Sequence, residues 1–249
     1  MKGGTFYARR VKRALASWKK QSDVPRVPAP SDPVDQLVIG LLGDQSTMKN
    51  AVKAAKALLD AMVDYNEVRV STRAEIAAVI RAFVPEAGKR GEAVRSALNA
   101  VFRKQHGMHL RSLEKMGLRE ARQYLESLDG MDAHAAASVI LWSLGGHAIP
   151  VSKPLYEMLV AKELVEPTAT VHEVQAFLER NISAADAREF CLLAEMQLDS
   201  GSVSPRAKKS DSRRSDDTKP AARRSARTKS PTKSLTGKRT DQRKKKAQL

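Results

Sequence analysis

The sequence predicts an all-α protein. Apolar residues recur at helical spacing in one segment after another, as at Val34, Leu37 and Leu41. No segment shows the sustained period-2 alternation that half-buried strands require. Hydrophobic residues make up 42% of the 249 residues, but aromatic residues only 4%. The abundance of alanine and leucine suits helices, and the chain is long enough to bury a substantial core.

The first predicted element is an amphipathic helix over residues 5–21. Phe6, Val11, Leu15 and Trp18 share one broad face, and Arg and Lys occupy most of the remainder. This pattern is typical of a helix packed on a core, and its basic face also suits phosphates or anionic lipid. Because a proline-rich connector follows, residues 1–30 are expected to form a basic helix and a linker.

Capping residues predict where the next helices begin. Asp32 precedes a proline at an early helical position, and Ser46 or Thr47 suits the start of the following helix. Thr72 with Glu75 three residues later predicts a capping box. Further helices are predicted over 88–106, 118–128, 153–164, 170–180 and 184–199.

Residues 125–159 predict a helical hairpin followed by the start of another helix. One helix ends near Leu128, and Gly130 supplies the positive φ that a tight reversal needs. Asp132 is a good N-cap for the second helix. The alanines within 133–137 would let another backbone approach this helix closely.

The hairpin and residues 41–47 together resemble the helix-hairpin-helix DNA glycosylases related to endonuclease III. The hairpin has that family's Leu-x-Gly turn with two alanines beyond it. The Leu-Leu-Gly-Asp-Gln-Ser-Thr segment at 41–47 resembles the family's Leu-Leu-Ser-x-Gln-x-Thr. The resemblance implies a two-lobed fold over residues 31–202. One lobe, 67–150, would carry the hairpin, and the other would comprise 31–66 and 151–202.

The resemblance also implies where DNA would bind. In that family the hairpin turn donates backbone N–H groups to a phosphate, and the target base is flipped into a pocket between the lobes. Gly130, Met131 and His134 are the corresponding DNA-binding candidates. Gln45 aligns with the residue that fills the gap left by the flipped base, although a solvated polar side chain is the alternative interpretation.

The family's catalytic groups are replaced. Its lysine on the second hairpin helix aligns with His134, and its required aspartate aligns with Ser152. An oxocarbenium-like transition state is stabilised by a carboxylate placed beforehand, which a serine cannot supply. Three residues are possible substitutes, and no catalytic residue is assigned, so whether the chain is an enzyme stays open. The substitutes are Asp129, Asp132 and Lys153, and Asp44 also lies near the predicted cleft.

Cysteine and histidine usage predicts no metal site and no cofactor. Many relatives hold an iron–sulfur cluster with four cysteines after the last helix, but Cys191 is the only cysteine of this sequence. The five histidines show no spacing typical of a zinc site.

The net charge of +16 is concentrated at the two ends of the chain. Residues 203–249 contain 17 Lys and Arg against 4 Asp, and residues 1–30 contain 8 basic residues against one acidic residue. Residues 203–249 contain almost no large apolar residue, so they are predicted to be a disordered tail that binds DNA without sequence preference. A merely solubilising tail is the alternative. The candidate phosphate contacts there are Lys208, Lys209, Arg213, Arg214, Arg223, Arg224, Lys244, Lys245 and Lys246.

Three functions are compatible with these patterns. The favoured one is a catalytically degenerate protein that has this glycosylase fold and binds DNA. The alternatives are an active glycosylase or AP lyase of base excision repair that uses a displaced acidic residue, and a helical protein-interaction module tethered to the nucleoid. No apolar run reaches 18 residues, so we expect no membrane partner and a cytoplasmic, nucleoid-associated location.

Overall fold

The computed structural model describes residues 3–21 and 31–200, and within them every regular element is a helix. The all-α prediction is therefore confirmed for this part of the chain. A 3₁₀ helix covers Arg111–Lys115. The α-helices are α1 (Gly4–Gln21), α2 (Pro33–Gly43), α3 (Met48–Ala61), α4 (Tyr65–Val70), α5 (Arg73–Ile80), α6 (Ala87–Gln105), α7 (Leu118–Glu126), α8 (Ala133–Trp142), α9 (Lys153–Ala161), α10 (Val171–Asn181) and α11 (Ala184–Asp199).

Side-chain caps begin several helices where the sequence predicted them. The Asp32 carboxylate accepts the Val34 N–H at 2.8 Å, and the Thr47 hydroxyl accepts from the third residue of α3. Thr72 and Thr170 each form a complete capping box with a glutamate three residues later. Ser183 caps α11. Because such caps satisfy otherwise unpaired N–H groups, each stabilises its helix by about 1 kcal/mol.

Helix α1 packs on the core through a face that differs slightly from the predicted one. Val11 and Trp18 are buried as expected, but Phe6 is 57% exposed. The periodicity explains the difference, because Tyr7 and Ala8 lie one turn before Val11 and pack against the core instead. Phe6 contacts the Tyr7 ring edge-on, with 5.3 Å between the ring centroids.

Helices α2 and α8 share the most extensive contact between any two helices of the described structure. A Cβ at Gly40 would lie 2.7 Å from the Ala135 Cα. The residues of α8 from Ala135 to Trp142 are all buried. The prediction of a small-residue helix approached by another backbone is thus confirmed, and it fixes the hairpin against α2.

The remaining helices pack in two groups. Helices α3 to α7 pack around the α2–α8 pair, whereas α1, α9, α10 and α11 pack on one another. The predicted division into two lobes stays a prediction. The most extensive contact joins α2 and α8, which that division assigns to different lobes. Small residues such as Gly40 and Ala135 allow these two helices to pack closely.

Two further predictions concern a membrane and the segment after residue 202. No helix in the described ranges is long and apolar enough to cross a membrane. The predicted tail and its phosphate contacts lie outside the described residues.

Candidate functional site

The predicted hairpin is present, with α7 and α8 joined by residues 127–132. Gly130 has a φ of +83°, and a Cβ there would lie 2.6 Å from the Ala93 carbonyl oxygen. Only glycine fits both the backbone conformation and this close approach. The turn is consequently seated against α6, which holds it in place.

Asp132 caps α8, as its position before the alanines predicted. Its carboxylate accepts the Ala135 N–H at 2.8 Å. Burial raises the pKa of Asp132, and the hydrogen bond from Ala135 opposes that shift. The hairpin turn therefore carries its own carboxylate at the helix end where the resembling family is expected to bind a phosphate.

Arg90 of α6 joins the hairpin to the loop between α2 and α3, residues 44–47. Its guanidinium pairs with Asp132 at 3.2 Å and with Asp44, and it donates to the Leu41 carbonyl oxygen at 3.3 Å. Burial raises the pKa of Asp44, but the Gln45 hydrogen bond and the Arg90 charge outweigh it and lower that pKa below its ordinary value. Asp44 is therefore a bound anion held by Arg90.

Gln45 lies in this α2–α3 loop, half-buried. Its side-chain amide donates to the Asp44 carboxylate at 2.9 Å. The loop is also tied to α9, because the Lys153 N–H donates to the Asp44 carbonyl oxygen at 2.7 Å. The orientation of Gln45 thus depends on Asp44 and its partners.

His134 is held in one neutral form. Its Nδ1 lies 2.9 Å from the Gly40 carbonyl oxygen, and since a carbonyl can only accept, Nδ1 carries the proton. Burial lowers the pKa of His134, against the opposing charge of Asp132. A Cβ at Gly43 would lie 3.1 Å from the imidazole Cε1, so the absence of a side chain at Gly43 makes room for the ring. His134 is uncharged at neutral pH.

Ser152 is the N-cap of α9, and its hydroxyl accepts the Leu155 N–H at 3.3 Å. The residue is buried. Lys153, the next residue, is exposed. Asp129 lies on the outside of the hairpin, where it pairs with Arg103 at 2.5 Å. Met131 is half-buried beside it.

A cavity of about 30 Å³ lies where α2, α3, α8, α9 and α11 meet. His134, Ser138 and Ser152 line it together with Cys191 and Glu195 from α11. It is the size of one or two water molecules, whereas pockets for small organic ligands typically measure roughly 300–1,000 Å³. The structure therefore brings His134 and Ser152 to one cavity, but this cavity is too small to hold a nucleobase.

Glu195 is a carboxylate of this cavity that the sequence did not indicate. It accepts the Met48 N–H at 3.0 Å, at the start of α3. Burial raises the pKa of Glu195 to about 7, although the Met48 hydrogen bond opposes the shift. Arg90 was missed as well. For Arg90 the signal was a charged side chain at helical spacing from the apolar residues Val94 and Ala97.

The residues of this chain do not suit an iron–sulfur cluster. Such clusters need about four cysteine thiolates, whereas the sequence contains only Cys191, and its thiol is buried in α11. Burial raises the pKa of Cys191, which disfavours the thiolate that a metal would bind. Within the described ranges, no three His, Cys, Asp or Glu side chains converge as a metal site would require.

The fold is similar to that of DNA glycosylases of known structure. A trapped endonuclease III–DNA covalent intermediate superposes with a TM-score of 0.58 at 16% identity, over 76% of this chain and 84% of that chain. A Clostridium acetobutylicum 8-oxoguanine glycosylase/lyase, in complex with double-stranded DNA, superposes with a TM-score of 0.61 at 12% identity, over 79% and 70%. For a thermostable thymine-DNA glycosylase the values are 0.55 and 17%, over 82% and 90%.

These likenesses establish the fold. The chain has the fold of the helix-hairpin-helix DNA glycosylases, as the resemblance in the hairpin and in residues 41–47 implied. No protein-family model matches the chain, and no curated protein matches it.

Proposed function

We propose that this chain is a DNA-binding protein that has a glycosylase fold and lacks the glycosylase reaction. The observation that carries the proposal is the state of Ser152. It stands where the resembling family has its required aspartate, and its hydroxyl is buried and used as a helix cap. Ser152 itself therefore supplies no negative charge to stabilise a cationic sugar.

The other predicted substitutes for the missing carboxylate are already engaged. Asp44 and Asp132 are paired with Arg90, and Asp129 is paired with Arg103 on the outer surface. His134 is a neutral imidazole that donates through Nδ1 to a backbone carbonyl, and it has no primary amine with which to act as the family's lysine does. The small cavity beside it supports the same conclusion, because a flipped base would have to displace packed side chains to enter.

DNA affinity is proposed to come mainly from charge outside the pocket. Arg9, Lys12, Arg13 and Lys20 are exposed on α1, and 17 further Lys and Arg follow residue 202. Lys and Arg that neutralise phosphates release counterions, which gives sequence-independent binding. The hairpin residues Gly130, Met131 and His134, with Gln45, would add contacts specific to a distorted duplex. A cytoplasmic location on the nucleoid follows from this proposal.

A panel of lesion-bearing duplexes tests the proposal. Oligonucleotides with deaminated, oxidised or alkylated bases are incubated with the full chain, and alkali then reveals any abasic site. We expect binding to every duplex and strand cleavage above background in none. Cleavage of any lesion would refute the degenerate enzyme, and failure to bind duplex DNA at low salt would favour the protein-interaction module instead.

One observation favours a second candidate, an active monofunctional glycosylase. Glu195 lines the same cavity as His134 and Ser152, and its pKa near 7 suits a general base that activates a water molecule. In that reaction the water oxygen would bond to C1′ as the C1′–N bond breaks, the electron pair of that bond would leave with the base, and the carboxylate would take the water proton. If the panel shows cleavage, Glu195→Gln should abolish it while Asp129→Asn, on the outer surface, should leave it unchanged.

A further inference from the structure

A polar connection runs from the hairpin to the α2–α3 loop through one buried side chain. The Arg90 side chain is only 7% exposed, and it pairs with Asp132 of the hairpin and with Asp44 of the loop. These two carboxylates come from segments 88 positions apart in the sequence, as their residue numbers show. Arg90 itself belongs to a third element, α6.

Each end of this connection adjoins a segment that carries a predicted DNA contact, Gln45 in the loop and His134 in the first turn of α8. On the loop side, Asp44 receives the Gln45 amide at 2.9 Å. On the hairpin side, Asp132 receives the Ala135 N–H at 2.8 Å and thereby fixes the first turn of α8. Arg90 also donates to the Leu41 carbonyl at the end of α2, which anchors the guanidinium near the root of the loop.

The planar fork of arginine is needed for this arrangement. One terminal nitrogen pairs with Asp44 while the other serves both Asp132 and the Leu41 carbonyl. A lysine ammonium is one compact charge and lacks the two separate terminal nitrogens with which Arg90 reaches Asp44 and Asp132. The Arg90 Nε is buried and has no hydrogen-bond partner among the described residues, which shows that the fork is oriented toward the two acids at the expense of its remaining donor.

We propose that Arg90 is a positioning residue that holds the Gln45 loop and the hairpin at a fixed separation, so that both engage a distorted duplex as one rigid surface. This inference rests on the proposed DNA-binding function. Phosphate affinity from α1 and from residues 203–249 does not depend on Arg90, whereas insertion of Gln45 into the base stack does. Loss of Arg90 should therefore separate overall affinity from base unstacking.

The test measures these two quantities on the same duplex with the full chain. The probe is a duplex with one 2-aminopurine next to a tetrahydrofuran abasic-site analogue, since 2-aminopurine fluoresces when it is unstacked. Wild type is expected to bind and to raise the fluorescence. In Arg90→Lys and in Asp44→Asn we expect the fluorescence rise at saturating protein to fall about tenfold, while the Kd for undamaged duplex changes less than about twofold.

A matched control lies on the same helix. Arg95 pairs with Glu92 at 2.7 Å on the surface of α6, so Arg95→Lys alters an arginine–carboxylate pair that touches neither the loop nor the hairpin. We expect Arg95→Lys to behave as wild type in both measurements. Asp132→Asn keeps an acceptor for the Ala135 N–H but weakens the pair with Arg90, and an intermediate loss of fluorescence is expected.

Each outcome is decisive. If Arg90→Lys does not fold by circular dichroism, Asp44→Asn decides the question, because it leaves Arg90 paired with Asp132. A folded Asp44→Asn or Arg90→Lys protein with the wild-type fluorescence rise overturns the inference, and so does a wild type that binds the duplex without unstacking it. If wild type does not bind duplex DNA at low salt, the proposed function fails first and the inference fails with it.

Discussion

At the scale of single residues, the chemistry of the candidate site depends on the charge states of the side chains that line its cavity. Ser152 is a neutral cap at a buried position, and His134 is kept neutral by burial. Glu195 is the carboxylate that lines the central cavity, and burial raises its pKa to about 7. Burial thus disfavours the charged forms of both His134 and Glu195.

The raised pKa of Glu195 predicts how stability depends on pH. Since the pKa is about 7 in the folded protein and its ordinary value is 4.5, the folded protein binds the proton more tightly than the unfolded chain does. Below about pH 4.5, ionisation of Glu195 does not lower the free energy of unfolding. As the pH rises to about 7 and above, ionisation lowers the free energy of unfolding by up to on the order of 3 kcal/mol. Glu195→Gln should raise the Tm at pH 8 and leave it nearly unchanged at pH 4.5.

Thermal unfolding followed by circular dichroism at several pH values measures this effect. Glu157→Gln serves as the control, because Glu157 is a solvent-accessible residue of α9 and should show no such pH-dependent gain. An equal Tm for wild type and Glu195→Gln at pH 8 would mean that the carboxylate is hydrated in solution, and it would remove the case for Glu195 as a general base.

At the scale of helices, the site depends on the contact between α2 and α8. Gly40 and Ala135 allow the two backbones to approach closely, and this approach brings His134 to the Gly40 carbonyl oxygen. The hairpin turn is fixed separately by Gly130 against α6. Small residues thus determine the position of the hairpin, and the polar contacts then follow from it.

Addition of one methyl group at Gly40 tests the contact between α2 and α8. A Cβ at Gly40 would lie 2.7 Å from the Ala135 Cα, so Gly40→Ala must separate α2 from α8 or distort one of them. Overpacking of this kind typically costs ~1–3 kcal/mol. Urea unfolding should therefore show a lower midpoint for Gly40→Ala. Gly117→Ala is the control, because a Cβ there meets nothing within 4 Å; equal midpoints for the two variants would contradict the close contact.

At the scale of the whole molecule, positive charge is concentrated in residues 1–30 and 203–249. Residues 31–202 contain 19 Lys and Arg against 23 Asp and Glu, whereas the segments on either side are strongly basic. A mildly acidic fold has little affinity of its own for a polyanion. The ends of the chain are therefore expected to supply most of the binding free energy and the fold to supply shape selectivity.

The salt dependence of the affinity for duplex DNA measures how much of the binding free energy the ends of the chain supply. For duplex DNA the slope of log K against log salt is about −0.9 per neutralised phosphate. Removal of residues 203–249 should therefore make the slope markedly shallower, by several such increments, while any preference for a distorted over an undamaged duplex is retained. A truncated chain with the full-length slope would show that the tail does not contact phosphates.

Much of the fold could be predicted from local sequence. Caps at Asp32, Thr47 and Asp132, and the hairpin reversal at Gly130, follow from interactions among residues close in the chain. That Ser152 stands in the place of the resembling family's aspartate stays a prediction from alignment with one motif. The exposure of Phe6 was missed because only the partner helices decide which neighbouring residues of α1 are covered.

The sequence by itself determined the helical class, the starts of most helices and the absence of a carboxylate at position 152, since these depend on short-range periodicity, capping and identity. Only the tertiary structure decided that Arg90 joins Asp44 to Asp132 and that Glu195 lines the cavity with His134. Those pairings bring together residues far apart in the chain, and their energies arise from burial, which no local pattern specifies.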